Sequence, residues 1–152
     1  MTLKQNIDKE HEQDLRRLQK FRLLDDDFMT KCFENDTACV ELVLQIVLNK
    51  NDLKVEDVRT QVFVENLIKR SVRLDVLATD RDGKKYNIEI QRADKGAGVR
   101  RARYNSSMMD ANLLKKGEDF AQLPETYVIF ITENDVMKKG LPLYSVERII
   151  KE

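Results

Sequence analysis

Asp75, Glu89 and Gln91 stand in the stretch RLDVLATDRDGKKYNIEIQ, residues 73–91, and are the side chains whose type and spacing can do chemistry. The two carboxylates are hard oxygen donors of the kind that Mg²⁺ or Mn²⁺ selects, and Gln91 adds a neutral amide beside them. Whether they meet depends on the strands that carry them. The stretch reads as two alternating runs around Asp82-Gly83. In the first run Leu74, Val76 and Ala78 share one face and Arg73, Asp75 and Leu77 the other; in the second, Tyr86, Ile88 and Ile90 oppose Asn87, Glu89 and Gln91. Apolar positions are even-numbered in both runs, so joining the apolar faces requires partners whose numbers sum to an even value. A two-residue Asp82-Gly83 turn pairs Arg81 with Lys84, an odd sum, and sets Asp75 beside Ile90. A three-residue loop, Arg81-Asp82-Gly83 with the glycine at positive φ, pairs Asp80 with Lys84 and sets Asp75 across from Glu89. The next even register sets it across from Gln91. Either even register puts all three polar side chains on one face.

Like charges directly opposite each other destabilise a sheet unless something sits between them. A divalent cation is the natural partner. Two carboxylates and a backbone carbonyl such as that of Ile90 supply oxygen ligands, with positions left for water and a substrate phosphate. Such an ion lowers the pKa of bound water and neutralises charge on a phosphoryl transition state. The alternative is a solvated face softened by Arg73, Lys84 and Lys85.

The elements that must position these residues can be read on either side. DDDFMTKCFENDTACVELVLQIVLNK, residues 25–50, is helical, with a break expected near Asn35 and Asp36 or Thr37 as cap. Within CVELVLQIVL only Glu41 and Gln45 form a polar i, i+4 line, so this helix is expected to be buried on most sides. VRTQVFV, residues 58–64, alternates as a strand with Val58, Thr60, Val62 and Val64 on one face. After the hairpin, Val99, Ala102, Ser106, Met109 and Leu113 form a helical stripe predicted to end at a Gly117 cap. TYVIFIT, residues 126–132, reads as a strand covered on both faces, and ENDVMKKGLPLYSVERIIKE as a polar turn and a short amphipathic tail. The order helix-strand-strand-strand-helix-strand predicts a mixed α/β fold, a central mixed sheet of about four strands flanked by helices. Residues 1–24 read as a charged arm and 25–152 as a single domain.

A chain of 152 residues, 41% hydrophobic, carries one core. With 27 Lys plus Arg against 27 Asp plus Glu the net charge is zero, so any nucleic-acid contact has to come from local concentration. That concentration exists: Arg92, Lys95, Arg100, Arg101 and Arg103 follow the Glu-Ile-Gln strand around the start of the next helix, suited to a phosphate backbone. Arg100 and Tyr104, at i, i+4, share a helix face and can meet phosphate together; alternatively Tyr104 packs inward with Met108 and Ala111. His11 is the only histidine, which excludes a histidine zinc site and a Ser-His triad. Cys32 and Cys39 read as core thiols of a reducing compartment. The N-terminal residues show no signal peptide and no segment approaches a membrane span, so a cytoplasmic protein without membrane partners is expected.

The hairpin, together with RARYNSSMMDANLLKKGEDFAQLPETYVIFIT, resembles the PD-(D/E)XK nuclease family transposases, also called recombination-promoting nucleases, from about Asp26 to Ile150. The resemblance implies a restriction-endonuclease-like core and Mg²⁺-dependent cleavage of DNA phosphodiesters. Asp75 matches the aspartate of the second core strand and Glu89 the acid of the third, both metal ligands. Gln91 falls where the wider superfamily has lysine, and glutamine there looks like the version of the transposase-like subfamily. Glu41 matches the acidic residue often found on the first helix, or is simply that helix's polar stripe. The expected activity is a metal-dependent DNA endonuclease using Asp75, Glu89, Gln91 and Glu41, with Arg92, Arg100, Arg101, Arg103 and Tyr104 toward DNA. The alternative is a catalytically inactive nuclease-fold module in DNA binding or protein assembly, favoured by the glutamine and by the short stretch after the last strand. The oligomeric state stays open, a homodimer included.

Overall fold

A computed structural model of the chain describes residues 11–16, 24–34, 36–66, 70–92 and 97–151. Residues 11–16 of the charged N-terminal stretch are helical. The elements that follow are α1 (Asp26–Phe33), α2 (Thr37–Leu48), β1 (Val55–Val64), β2 (Val72–Asp80), β3 (Lys85–Gln91), α3 (Val99–Leu113), a short 3₁₀ turn (Phe120–Gln122) and β4 (Thr126–Thr132). The strands form one mixed sheet in the order β1-β2-β3-β4, antiparallel except for the parallel β3–β4 pair, which α3 connects as a crossover. Among the described residues no helix is long and apolar enough to cross a membrane.

The loop between β2 and β3 has three residues. Gly83 adopts φ +81°, its N–H donates to the Asp80 carbonyl (3.0 Å), and the Asp80 N–H donates to the Lys84 carbonyl (3.1 Å). A side chain at that φ would be strained, so the glycine selects the loop and the loop selects the register. Val76 pairs with Ile88, Leu77 with Asn87 and Thr79 with Lys85, the even register expected of the three-residue loop.

One face of the sheet packs α1 and α2: Phe33, Val40, Leu44 and Leu53 close over Val76, Ala78, Tyr86, Ile88 and Ile90. The other face packs α3 through Met108 and Met109 against Val64, Leu74 and Leu77. Each such side chain, fully buried, contributes about 1.5–3 kcal/mol. Asp36 caps α2 by accepting the Cys39 N–H at 2.9 Å, and Asn49, at φ 52°, ends it.

Several expectations are corrected. The hydrophobic faces of β1 and β2 do not run unbroken: Val55, Val58, Val76 and Ala78 pack on the α1–α2 side, whereas Val62, Val64, Val72 and Leu74 pack on the α3 side. The change occurs between the Thr60–Val76 and Val62–Leu74 pairs, where Gln61 is left-handed (φ 54°) opposite Asp75. A left-handed residue in a strand rotates the chain beyond it, so the following side chains swap sides. The second helix is not buried on most sides: only Val40 and Leu44 are buried, and Leu42 is 56% and Ile46 70% exposed on its outer face. Helix α3 stops at Leu113, and Gly117 (φ 93°) serves the turn after it, where the Glu118 carboxylate takes the Lys115 N–H instead. β4 is an edge strand, half-buried throughout rather than covered. Residues 133–151 form no regular element; Tyr144 and Asp135 tie them into a loop with a 2.8 Å hydrogen bond.

Candidate functional site

Neighbouring strands bring Asp75 and Glu89 close together, next to the point where β1 and β2 change faces, and Glu89 lies on the α3 side, where Arg101 meets it. Asp75 is buried, and its Oδ2 accepts the Ile90 backbone N–H at 3.0 Å. Glu89 has no exposed surface. Its Oε1 accepts the Asn87 amide at 3.0 Å and its Oε2 accepts Arg101 Nη2 at 2.7 Å. Burial pushes the Glu89 carboxyl above the usual carboxylate range and Asp75 adds to the rise, against the pull of the Asn87 amide and the Arg101 guanidinium. Gln91 lies on the same side, half-buried at the end of β3, where it pairs with Thr132. The side chain of Ile90 belongs to the opposite core, so only its backbone faces this group.

Two residues of this group went unrecognised at the level of sequence. Asn87 is fully buried and donates from one amide nitrogen to Glu89 and to the Val76 carbonyl (3.3 Å); its Oδ1 accepts from Asn105 of α3 at 3.3 Å. Asn105 is buried as well, one helical turn after Arg101. A chain of neutral amides therefore runs from the helix to the Glu89 carboxylate. The signal was available: Asn87 alternates with Glu89 and Gln91, and Arg101-Asn105 is an i, i+4 pair.

The arginines divide. Arg101 reaches Glu89 along the face of Phe130, with its guanidinium 5.5 Å from the ring centroid and its side chain 39% exposed. Arg100 and Arg103 are exposed on the same helix. Arg92 is tied by ion pairs to Asp25 (3.0 Å) and Glu133 (3.8 Å). Lys95 lies outside the described residues. Tyr104 is half-buried, packed against the α3-side core, with its hydroxyl donating to the Arg70 carbonyl at 2.5 Å, so it points inward while Arg100 faces out.

Glu41 is not brought to the group. It accepts from Lys54 Nζ (2.6 Å), the Val55 N–H (3.0 Å) and Gln45 (3.4 Å), joining α2 to the start of β1. Val55 pairs with Asp80 at the loop end of β2, roughly 17 Å along the strand from Asp75 at the usual rise. A groove at that loop end is lined by Lys50, Lys54, Arg81 and Lys84 among others, but Lys54 is committed to Glu41 and Lys84 to Glu125 (3.4 Å).

The donor set fits a hard divalent cation. It consists of oxygen ligands from two strands, and a carboxylate offers about four lone-pair sites. Glu89 accepts from Asn87 and Arg101, and the Asp75 backbone N–H acts on it as well. Among the described residues no three His, Cys, Asp or Glu side chains gather, so a cation here needs a carbonyl, water or a substrate oxygen to complete its shell. A model of the PD-(D/E)XK nuclease family transposases matches residues 28–150. No curated protein and no solved structure gives a match.

Proposed function

The chain belongs to the PD-(D/E)XK nuclease family transposases, and from that premise we propose that it is a divalent-cation-dependent endonuclease hydrolysing DNA phosphodiester bonds. Membership itself supports a nuclease- or transposase-like function with DNA as substrate, in a family of nucleases that generally use divalent metals. The observation that carries the finer reading is the Glu89 carboxylate, fully buried beside a second buried acid. Burying two like charges together is costly, and a site that retains them has a use for them.

In this reading Asp75, Glu89 and the Ile90 carbonyl hold Mg²⁺ or Mn²⁺. When bound, the ion supplies a water of lowered pKa and charge neutralisation at the phosphoryl group. Gln91 is a neutral amide and takes no proton; it orients the attacking water through its carbonyl oxygen or a phosphate oxygen through its NH₂. Arg100 and Arg103, exposed on the first turns of α3, hold the DNA backbone. Asn87 and Asn105 keep the Glu89 carboxylate in one orientation. Glu41 stays outside the chemistry and fastens α2 to β1.

Plasmid nicking in Mg²⁺ or Mn²⁺ tests the proposal. Asp75→Asn and Glu89→Gln are each expected to lose it; undiminished nicking in both variants sinks the idea. Two observations favour the inactive-module reading: Glu89 already has a cationic partner, and the lysine position holds Gln91. A protein that takes up no Mn²⁺ through Asp75 while still retaining DNA on a filter decides for that module.

A further inference from the structure

The two oxygens of Glu89 are held by different kinds of partner. Oε1 is fixed by Asn87, itself held by Asn105 and the Val76 carbonyl, all of them buried and neutral. Oε2 is held by Arg101, whose side chain is 39% exposed while that of Glu89 is at 0%. The amide frame belongs to the interior, whereas the guanidinium enters from the solvent side over Phe130. Withdrawing it leaves the carboxylate oriented and uncovers one oxygen on the side facing solvent.

From this geometry we infer that Arg101 is a resident counter-ion in the cation position: it neutralises Glu89 in the cation-free protein, gives up Oε2 when a divalent ion binds, and then joins Arg100 and Arg103 on the DNA backbone. The inference rests on the reading of Asp75 and Glu89 as cation ligands. It goes further by giving Arg101 two successive partners and by making cation occupancy the condition for a third DNA contact.

Charge favours the exchange. A guanidinium brings one positive charge to two adjacent carboxylates, whereas a divalent ion brings two. Buried ion pairs stand close to break-even between desolvation and attraction, so replacing one with a better-matched charge needs little driving force. The place to which Arg101 withdraws is already basic, with Arg100 beside it and Arg103 two residues on, at the first turns of a helix whose N-terminal dipole favours phosphate. The cation-free protein would then present a weaker DNA surface than the loaded one.

Calorimetry with Mn²⁺ on the full chain separates the possibilities, comparing wild type, Arg101→Gln and Glu89→Gln. Arg101→Gln is expected to bind Mn²⁺ about tenfold more tightly than wild type, because the competitor is gone, and to bind DNA more weakly in Ca²⁺. If wild type binds Mn²⁺ through Glu89 and Arg101→Gln binds no more tightly, the inference fails and the proposed function stands. If wild type and Arg101→Gln both show no saturable heat, the cation site itself is overturned and the inference with it. Should Arg101→Gln fail to fold, wild type decides: the guanidinium NMR signals of Arg101, slowed by the ion pair, are expected to lose that protection as Mg²⁺ is added. Unchanged signals at saturating Mg²⁺ overturn the exchange.

Discussion

Glu41 and Glu89 each hold a basic side chain at almost the same distance, Lys54 at 2.6 Å and Arg101 at 2.7 Å, yet their acidities move in opposite directions. Lys54 and then the Val55 N–H hold the Glu41 carboxyl below the usual range. Burial pushes that of Glu89 above it, with Asp75 adding to the rise. The Glu41 side chain is 19% exposed to solvent, whereas that of Glu89 is at 0%. A cation at hydrogen-bond distance therefore does not by itself set the cost of a carboxylate; what surrounds the pair decides. At the loop end of the sheet an acid is used to join two elements. At the other end an acid is kept where its charge is expensive, which is the condition under which a divalent ion gains most.

The largest effect expected from this contrast is on chemistry. Glu89→Gln should reduce Mn²⁺-dependent plasmid nicking by about a hundredfold or more, since several kcal/mol of transition-state stabilisation depend on the ion it would hold. Glu41→Gln should leave nicking within about threefold of wild type. Equal losses in the two variants would erase the distinction between the two ends. The aspartates of β2 sharpen it. Asp80 is buried like Asp75, but accepts from the Asp82 N–H (3.0 Å), the Lys84 N–H (2.9 Å) and the Tyr86 hydroxyl (2.7 Å), all supplied by its own hairpin. Asp80→Ala strands the buried Tyr86 hydroxyl and opens the loop, so a loss of about 2–3 kcal/mol in urea unfolding is expected. Asp75→Ala, tested in the same way without metal, should destabilise less, because it also relieves Glu89 of a like charge.

How much of this was legible can be judged residue by residue. The hairpin register was, because strand alternation has a strict period of two and Asp-Gly needs positive φ at the glycine, which Gly83 provides. The phase of α3 was legible only in part. The apolar stripe from Val99 to Leu113 describes a face near the real one, but the inward positions toward the site are Arg101 and Asn105, polar residues that hydrophobic periodicity discards. Arg100-Tyr104 was therefore the plausible pair and Arg101-Asn105 the one that reaches the sheet. Gln61 could not be anticipated, since glutamine has no special tolerance of left-handed φ and its conformation is imposed by tertiary packing. Nor could the position of Glu41: its polar line with Gln45 was plain, but how far along the sheet the helix lies depends on the pairing of Val55 with Asp80.

The smallest effect is on stability, and it has a sign that distinguishes the two glutamates without any metal or DNA. Glu41 has a depressed folded-state pKa, so its contribution is present above the ordinary glutamate range and is lost as pH falls through the folded value. Glu41→Gln should melt below wild type at pH 7.5, and the gap should close on acidification below that range. Glu89 is raised, so the fold favours its neutral form: its contribution is complete below the ordinary range and is lost as pH rises through the folded value. Glu89→Gln, which cannot ionise, should melt above wild type at pH 7.5 in the absence of divalent ions, and that gap too should close in acid. For a chain of this size each kcal/mol moves the midpoint by roughly 2–4 °C, within reach of calorimetry. Added Mn²⁺ should then raise the melting point of wild type but not of Glu89→Gln, because only the ionised carboxylate can exchange its buried charge for a bound ion.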